Sequence, residues 1–231
     1  EEKQYFNPIV KTVPRDFLTE KNNVVFVVLE SFSSYYTGPN CSNSYSPFLD
    51  SILTESMYFE NGVSNAQTSI DALPILLSSV PNFSKQSLIL SGYQLNGLPG
   101  YLRSHGYGSL FFHGAKNGSM RFDSFSKSIG FDNYFGMNEY PYSAHYDGSW
   151  GIWDHEFLPW TISKMNKAKE PFVSCVYTLS SHHPFKVPSE FEYLNGGPDK
   201  ICKTIQYTDE ALRIFWKEVK RQKWFDRTLF V

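Results

Sequence analysis

Residues 24–29 are all apolar, four of them valine, and the run stops abruptly at Glu30 before a hydroxyl-rich stretch, Ser31-Phe32-Ser33-Ser34. A half-exposed strand would alternate and a surface helix would show a 3.6-residue stripe. This unbroken β-branched run therefore predicts a strand buried on both faces of a mostly parallel sheet. Residues 109–112 and 171–179 are of the same kind, and a further strand starts near Leu229. Between them, helical periodicity and capping residues predict helices over 46–53, 98–105, 123–129, 153–167 and 208–221. Another begins at Thr68 or Ser69, keeps Pro74 to its early turns and is closed by Pro81. Residues 57–63 and 131–136 are further extended candidates. Strand and helix alternate throughout, which predicts a three-layer α/β/α architecture around a mostly parallel central sheet.

The chemistry gathers where the strands end. Glu30, His113 and the pair His182/His183 each follow an apolar run, and in open α/β sheets the carboxyl ends of the strands form the ligand-binding edge. Glu30 there suits either a hard divalent cation or the first turn of a helix. Thr68 and Ser69 put hydroxyls at a helix N-terminus. That is an ordinary capping arrangement, and it is also one in which the helix dipole favours an alkoxide or a bound phosphate. With no general base beside them in sequence, metal coordination is the activating device available to such a hydroxyl. His182 and His183 can donate to a phosphoryl oxygen, and His113 with Asn117 and Arg121 can complete an anion pocket.

Composition narrows the classes. A net charge of −2 and no long basic run give no global attraction for nucleic acid. Three widely spaced cysteines form neither a zinc cluster nor a disulfide framework, and Cys175, inside an apolar run, reads as a small buried hydrophobe. No stretch is apolar enough to span a bilayer. Residues 1–22 read as a linker segment and 23–231 as one domain. Aromatic content of 17%, with Trp150, Trp153 and Trp160 close together, leaves a non-catalytic surface for a glycan or lipid headgroup as the alternative reading.

Taken together, Val28-Leu29-Glu30-Ser31-Phe32, Ser46-Pro47-Phe48-Leu49-Asp50, Ser69-Ile70-Asp71-Ala72-Leu73-Pro74, Phe112-His113-Gly114, Gly148-Ser149-Trp150-Gly151-Ile152-Trp153-Asp154 and Thr178-Leu179-Ser180-Ser181-His182-His183-Pro184-Phe185 resemble blocks of the lipoteichoic acid synthase and phosphoglycerol transferase family, within the alkaline phosphatase and sulfatase superfamily. The resemblance implies an alkaline-phosphatase-like fold in which Glu30 and Ser69 are metal ligands, Ser69 is the nucleophile and His182 contacts phosphate or headgroup. Thr68 stays open as nucleophile, because the lipoteichoic acid synthases use threonine. It implies a divalent metal (Mn2+ first, Mg2+ or Zn2+ as alternatives), a phospholipid headgroup donor and a glycan or glycolipid acceptor. It also implies a membrane-anchored parent with its catalytic domain outside the cytoplasm. A phosphoethanolamine transferase or phosphodiesterase of the same superfamily fits the same blocks. A sulfatase fits poorly, because the Cys/Ser-x-Pro-x-Arg motif is absent after Ser69. The family's Asp-His pair, which completes the metal shell, would lie beyond Val231. The catalytic domain is therefore expected to be incomplete at its C-terminal end, and the chain by itself inactive and a weak metal binder.

Overall fold

A computed structural model describes residues 21–38, 41–59, 62–64, 66–81 and 87–231. The valine-rich run forms β1 (Asn23–Val28), and β2 (Gly108–His113), β3 (Asn133–Phe135), β4 (Phe172–Tyr177) and β5 (Thr228–Phe230) join it in the order β3-β2-β4-β1-β5, every neighbouring pair parallel. The register sets His113 opposite Tyr177 and Tyr177 opposite Val28. The ends of the three central strands are therefore level, and Glu30 lies two residues past the end of β1.

Side-chain alternation along the strands builds two cores. Leu110 and Phe112 of β2 and Phe172 and Val176 of β4 pack under α6 (Asp154–Met165) and α7 (Lys200–Val219), with Phe157, Leu158, Ile162, Phe215 and Val219. Phe111 of β2 and Val173, Cys175 and Tyr177 of β4 point the other way. They meet Leu73 and Leu77 of α2 (Ser69–Ser78) and Phe122 and Phe125 of α5 (Phe122–Ser128). Every residue of β4 is buried, Ser174 included, as a mainly apolar run predicts for the middle strand of a covered sheet. This is the expected α/β/α sandwich. The remaining helices, α1 (Pro47–Leu53), α3 (Leu88–Ser91) and α4 (Leu98–Ser104), are short.

Three elements differ from the sequence reading. The described part of 57–63 forms no strand. Met57, Phe59 and Val63 are exposed, because no strand runs beside them to take up their backbone hydrogen bonds. α7 starts at Lys200 rather than Thr208. Ile201, Cys202 and Ile205 extend its apolar stripe, among Lys and Thr residues that mask it in sequence. α1 is capped from a distance: Ser46 makes no capping hydrogen bond, and the Asp209 carboxylate on α7 accepts the N–H groups of Phe48 (2.9 Å) and Leu49 (2.8 Å). Cys175 is fully buried, as its position predicts. The linker assigned to 1–22 lies almost wholly outside the described residues.

Candidate active site

As β1 ends, Thr178 at the end of β4 takes the backbone N–H of Glu30 on its hydroxyl at 2.9 Å. Ser31 then turns the chain with φ +60°, a left-handed conformation that costs a non-glycine residue about 1 kcal/mol. The turn lets Ser31 Oγ donate to Glu30 Oε1 at 2.9 Å. The Glu30 side chain is thereby folded back over the strand ends, where it is nearly buried.

From the other side of the sheet, α2 begins with Thr68 as its extended N-cap and Ser69 as its first residue. Ser69 Oγ lies 3.0 Å from Glu30 Oε1, donating to it. Thr68 Oγ1 donates instead to Asp71 Oδ2 in the first turn of its own helix, at 2.6 Å. The geometry thus separates the two hydroxyls: Ser69 faces the carboxylate, and Thr68 serves the helix. The phenol of Tyr177, the last residue of β4, donates to Glu30 Oε2. Burial and the Glu30 charge both push the Tyr177 pKa up, so it remains a donor at any ordinary pH. Three hydroxyls therefore converge on one buried carboxylate.

Two oxygens 3.0 Å apart suit a hard divalent cation, since bonds of about 2.1 Å at right angles separate neighbouring ligands by roughly that distance. Glu30 and Ser69 fit as part of such a shell. Among the described residues, no group of three or more His, Cys, Asp or Glu side chains converges to hold an ion.

The other sequence candidates are placed differently. His113 is buried at the end of β2, with Nδ1 3.2 Å from the Tyr134 hydroxyl and its ring stacked on Phe122 and edge-on to Tyr177. Burial pulls its pKa down to about 3, so it is neutral and packs beneath the site. Asn117 ties a loop together by donating to the Glu139 carboxylate at 3.0 Å. Arg121 donates to the Leu90 carbonyl at 2.9 Å and covers Gly92. His182 and His183 follow β4 on the same edge as Glu30. Trp150 rests on the His182 ring, while Trp160 packs among Phe112, Tyr140 and Phe157.

Two residues of the site were not singled out in the sequence. Tyr177 could have been found from period two alone, because it shares the face of Val173 and Cys175 and is the last of that series before the strand ends. Asp154, fully buried, accepts the N–H groups of Leu179 (2.9 Å) and Ser180 (3.0 Å) and the Thr208 hydroxyl (3.3 Å). It anchors the segment that carries His182. Desolvation raises its pKa to about 6 against the opposing pull of these hydrogen bonds.

The parallel α/β/α sheet thus brings a carboxylate and a helix-initiating hydroxyl together at its strand ends. The sulfatase family profile matches residues 22–231, and the chain belongs to that family. It is similar to the lipoteichoic acid synthase-like protein YvgJ of Bacillus subtilis (strain 168), 26% identical over 225 residues that make up 93% of this chain and 36% of that protein. Among solved structures it resembles an alkaline phosphatase superfamily protein from Vibrio parahaemolyticus, with a TM-score of 0.81 and 22% identity, over 91% of this chain and 53% of that one. It also resembles the lipoteichoic acid synthase LtaP from Listeria monocytogenes, with a TM-score of 0.78 and 19% identity, over 90% of this chain and 54% of that one. The chain spans about a third of the length of the curated relatives it matches.

Proposed function

We propose that this chain carries the nucleophile and part of the metal site of an enzyme that transfers phosphoglycerol from a phospholipid to an acceptor hydroxyl on a glycan or glycolipid. The 3.0 Å approach of Ser69 Oγ to the buried Glu30 carboxylate supports this reading most directly. Ser69 Oγ loses its proton to solvent and attacks the phosphodiester phosphorus, the Ser69 O–P bond forms, and diacylglycerol leaves with the electrons of the broken P–O bond and a proton from solvent. The acceptor hydroxyl then attacks the same phosphorus, its O–P bond forms, and Ser69 is released and reprotonated. Glu30 and Ser69 would hold a divalent cation, Mn2+ first, which when bound favours the serine alkoxide and balances charge on the phosphoryl oxygens. The N-terminus of α2 adds its dipole at the same atom. His182 and His183 contact the substrate headgroup from the end of β4. A phospholipid donor puts the reaction at a membrane face, and the likeness to the family favours the extracytoplasmic one, though no helix among the described residues is long and apolar enough to cross a membrane.

In the full-length protein, Ser69→Ala abolishes transfer of labelled headgroup from phosphatidylglycerol, while Thr68→Ala keeps it and removes only the exposed hydrogen bond to Asp71. The reverse pattern would assign the nucleophile to Thr68.

A further inference from the structure

Trp150 sits on an unusually well-fixed turn. Asp147 Oδ1 accepts three successive backbone N–H groups, those of Ser149 and Trp150 at 2.7 Å and Gly151 at 3.1 Å, while Gly148 supplies the left-handed residue at φ +79°. Gly151 presses so closely on the sheet that a Cβ there would meet Gly114 O at 2.6 Å. From this turn the indole holds the end of β4 in two ways. Its ring lies against the His182 imidazole with centroids 4.0 Å apart, and its Nε1–H donates to the His183 carbonyl at 2.5 Å.

His182 Nδ1 lies 2.9 Å from that same carbonyl oxygen. A carbonyl only accepts, so Nδ1 carries the hydrogen, and the lone pair of the neutral imidazole is left on Nε2. Among the described residues, Nε2 has no hydrogen-bond partner.

We propose that Trp150 is a positioning residue: with the His183 carbonyl it fixes His182 as its Nδ1–H tautomer and leaves Nε2 as an acceptor for a substrate hydroxyl. A lone pair there repels a phosphoryl oxygen and welcomes an O–H, so in this tautomer the imidazole selects the hydroxyl-bearing part of donor or acceptor. The kinetic consequence rests on the function proposed above. The tautomer and the ring packing do not.

Nitrogen-15 NMR of the histidine side chains, with His182 assigned by difference against His182→Gln, tests this at a pH where the imidazole is neutral. The wild-type chain is expected to show His182 Nδ1 protonated and Nε2 bare. Trp150→Ala should shift the ring toward the Nε2–H form that free histidine prefers, and Trp150→Phe, which keeps an aromatic ring against the imidazole, should shift it less. Asp147→Ala leaves the indole in place but frees its turn, and should move the tautomer in the same direction as Trp150→Ala. A wild-type ring already in the Nε2–H form, or one unchanged by Trp150→Ala, overturns the proposal. In the full-length protein, Trp150→Ala should lower kcat/KM by about ten- to a hundredfold, with partial rescue by Trp150→Phe. Unchanged turnover alongside the NMR shift overturns the role of Nε2 in substrate contact. A wild-type protein with no transferase activity and an intact Nδ1–H ring would count against the proposed function instead.

Discussion

Replacing Asp154 by asparagine isolates the charge that anchors the His182 segment. The carboxylate is fully buried and accepts three N–H or O–H groups, and its pKa rises from 3.8 to about 6 because desolvation outweighs them. A rise of that size corresponds to about 3 kcal/mol of preference for the protonated form in the native state. The folded protein binds this proton more tightly than the unfolded chain does. The associated stability is therefore complete below pH 3.8 and lost as the pH rises through about 6. An asparagine at this position has one acceptor oxygen, and its amide hydrogens face donors, so the substitution costs about 2 kcal/mol at neutral pH. The checkable quantity is the unfolding free energy of the wild type minus that of Asp154→Asn, from urea titrations between about pH 4 and pH 7.5, a window that spans the shifted titration. Other titrating groups cancel in this difference. It should grow by about 2 kcal/mol on acidification across that range. A difference flat in pH would mean that the native carboxylate ionises like an exposed one, and a difference growing toward high pH that its hydrogen bonds outweigh desolvation; either result contradicts the upward shift.

Tyr177→Phe removes one of the three donors to Glu30 without changing the packing. It should cost about 1–2 kcal/mol in urea unfolding and, in the full-length protein, weaken Mn2+ affinity about tenfold or more by calorimetry. Asp209→Ala strips two N–H groups of α1 of their acceptor. About 1–3 kcal/mol of stability should be lost, and hydrogen exchange should speed up in residues 47–53 ahead of the rest. With Glu30 and Ser69 as the proposed metal ligands, titration of the chain with Mn2+ should give a Kd of about 10⁻⁴ M or weaker. Tight stoichiometric binding would show that the described residues supply more of the shell than Glu30 and Ser69.

The layered fold was legible because the central strands are largely buried and show it as mainly apolar runs. Glu30 was legible for the same reason, as a charge where such a run stops. Ser69 and Thr68 could be narrowed to a helix start but not separated, since helix periodicity does not say which of two adjacent hydroxyls faces a carboxylate 39 residues away. The hydrogen bonds to Glu30 and Asp71 make that distinction. The first turns of α7 were hidden by polar residues around a sparse apolar stripe, and the cap of α1 by a partner about 160 residues distant. Arg121 and Asn117 looked like anion ligands because their side chains suit anions. In the structure a carbonyl and a carboxylate already occupy them.

Glu30 meets Ser69 across 39 residues and Tyr177 across 147. The pair of oxygens is consequently a late product of chain assembly. During synthesis the acid and the alcohol are both made long before the middle strand that brings the phenol, and until that strand inserts, the acid has no dry place to sit. A ribosome-bound or proteolysed segment ending before Tyr177 would carry Glu30 and Ser69 in sequence yet lack the strand whose phenol holds the acid in place. The chemistry is in this way withheld until the interior of the molecule has closed.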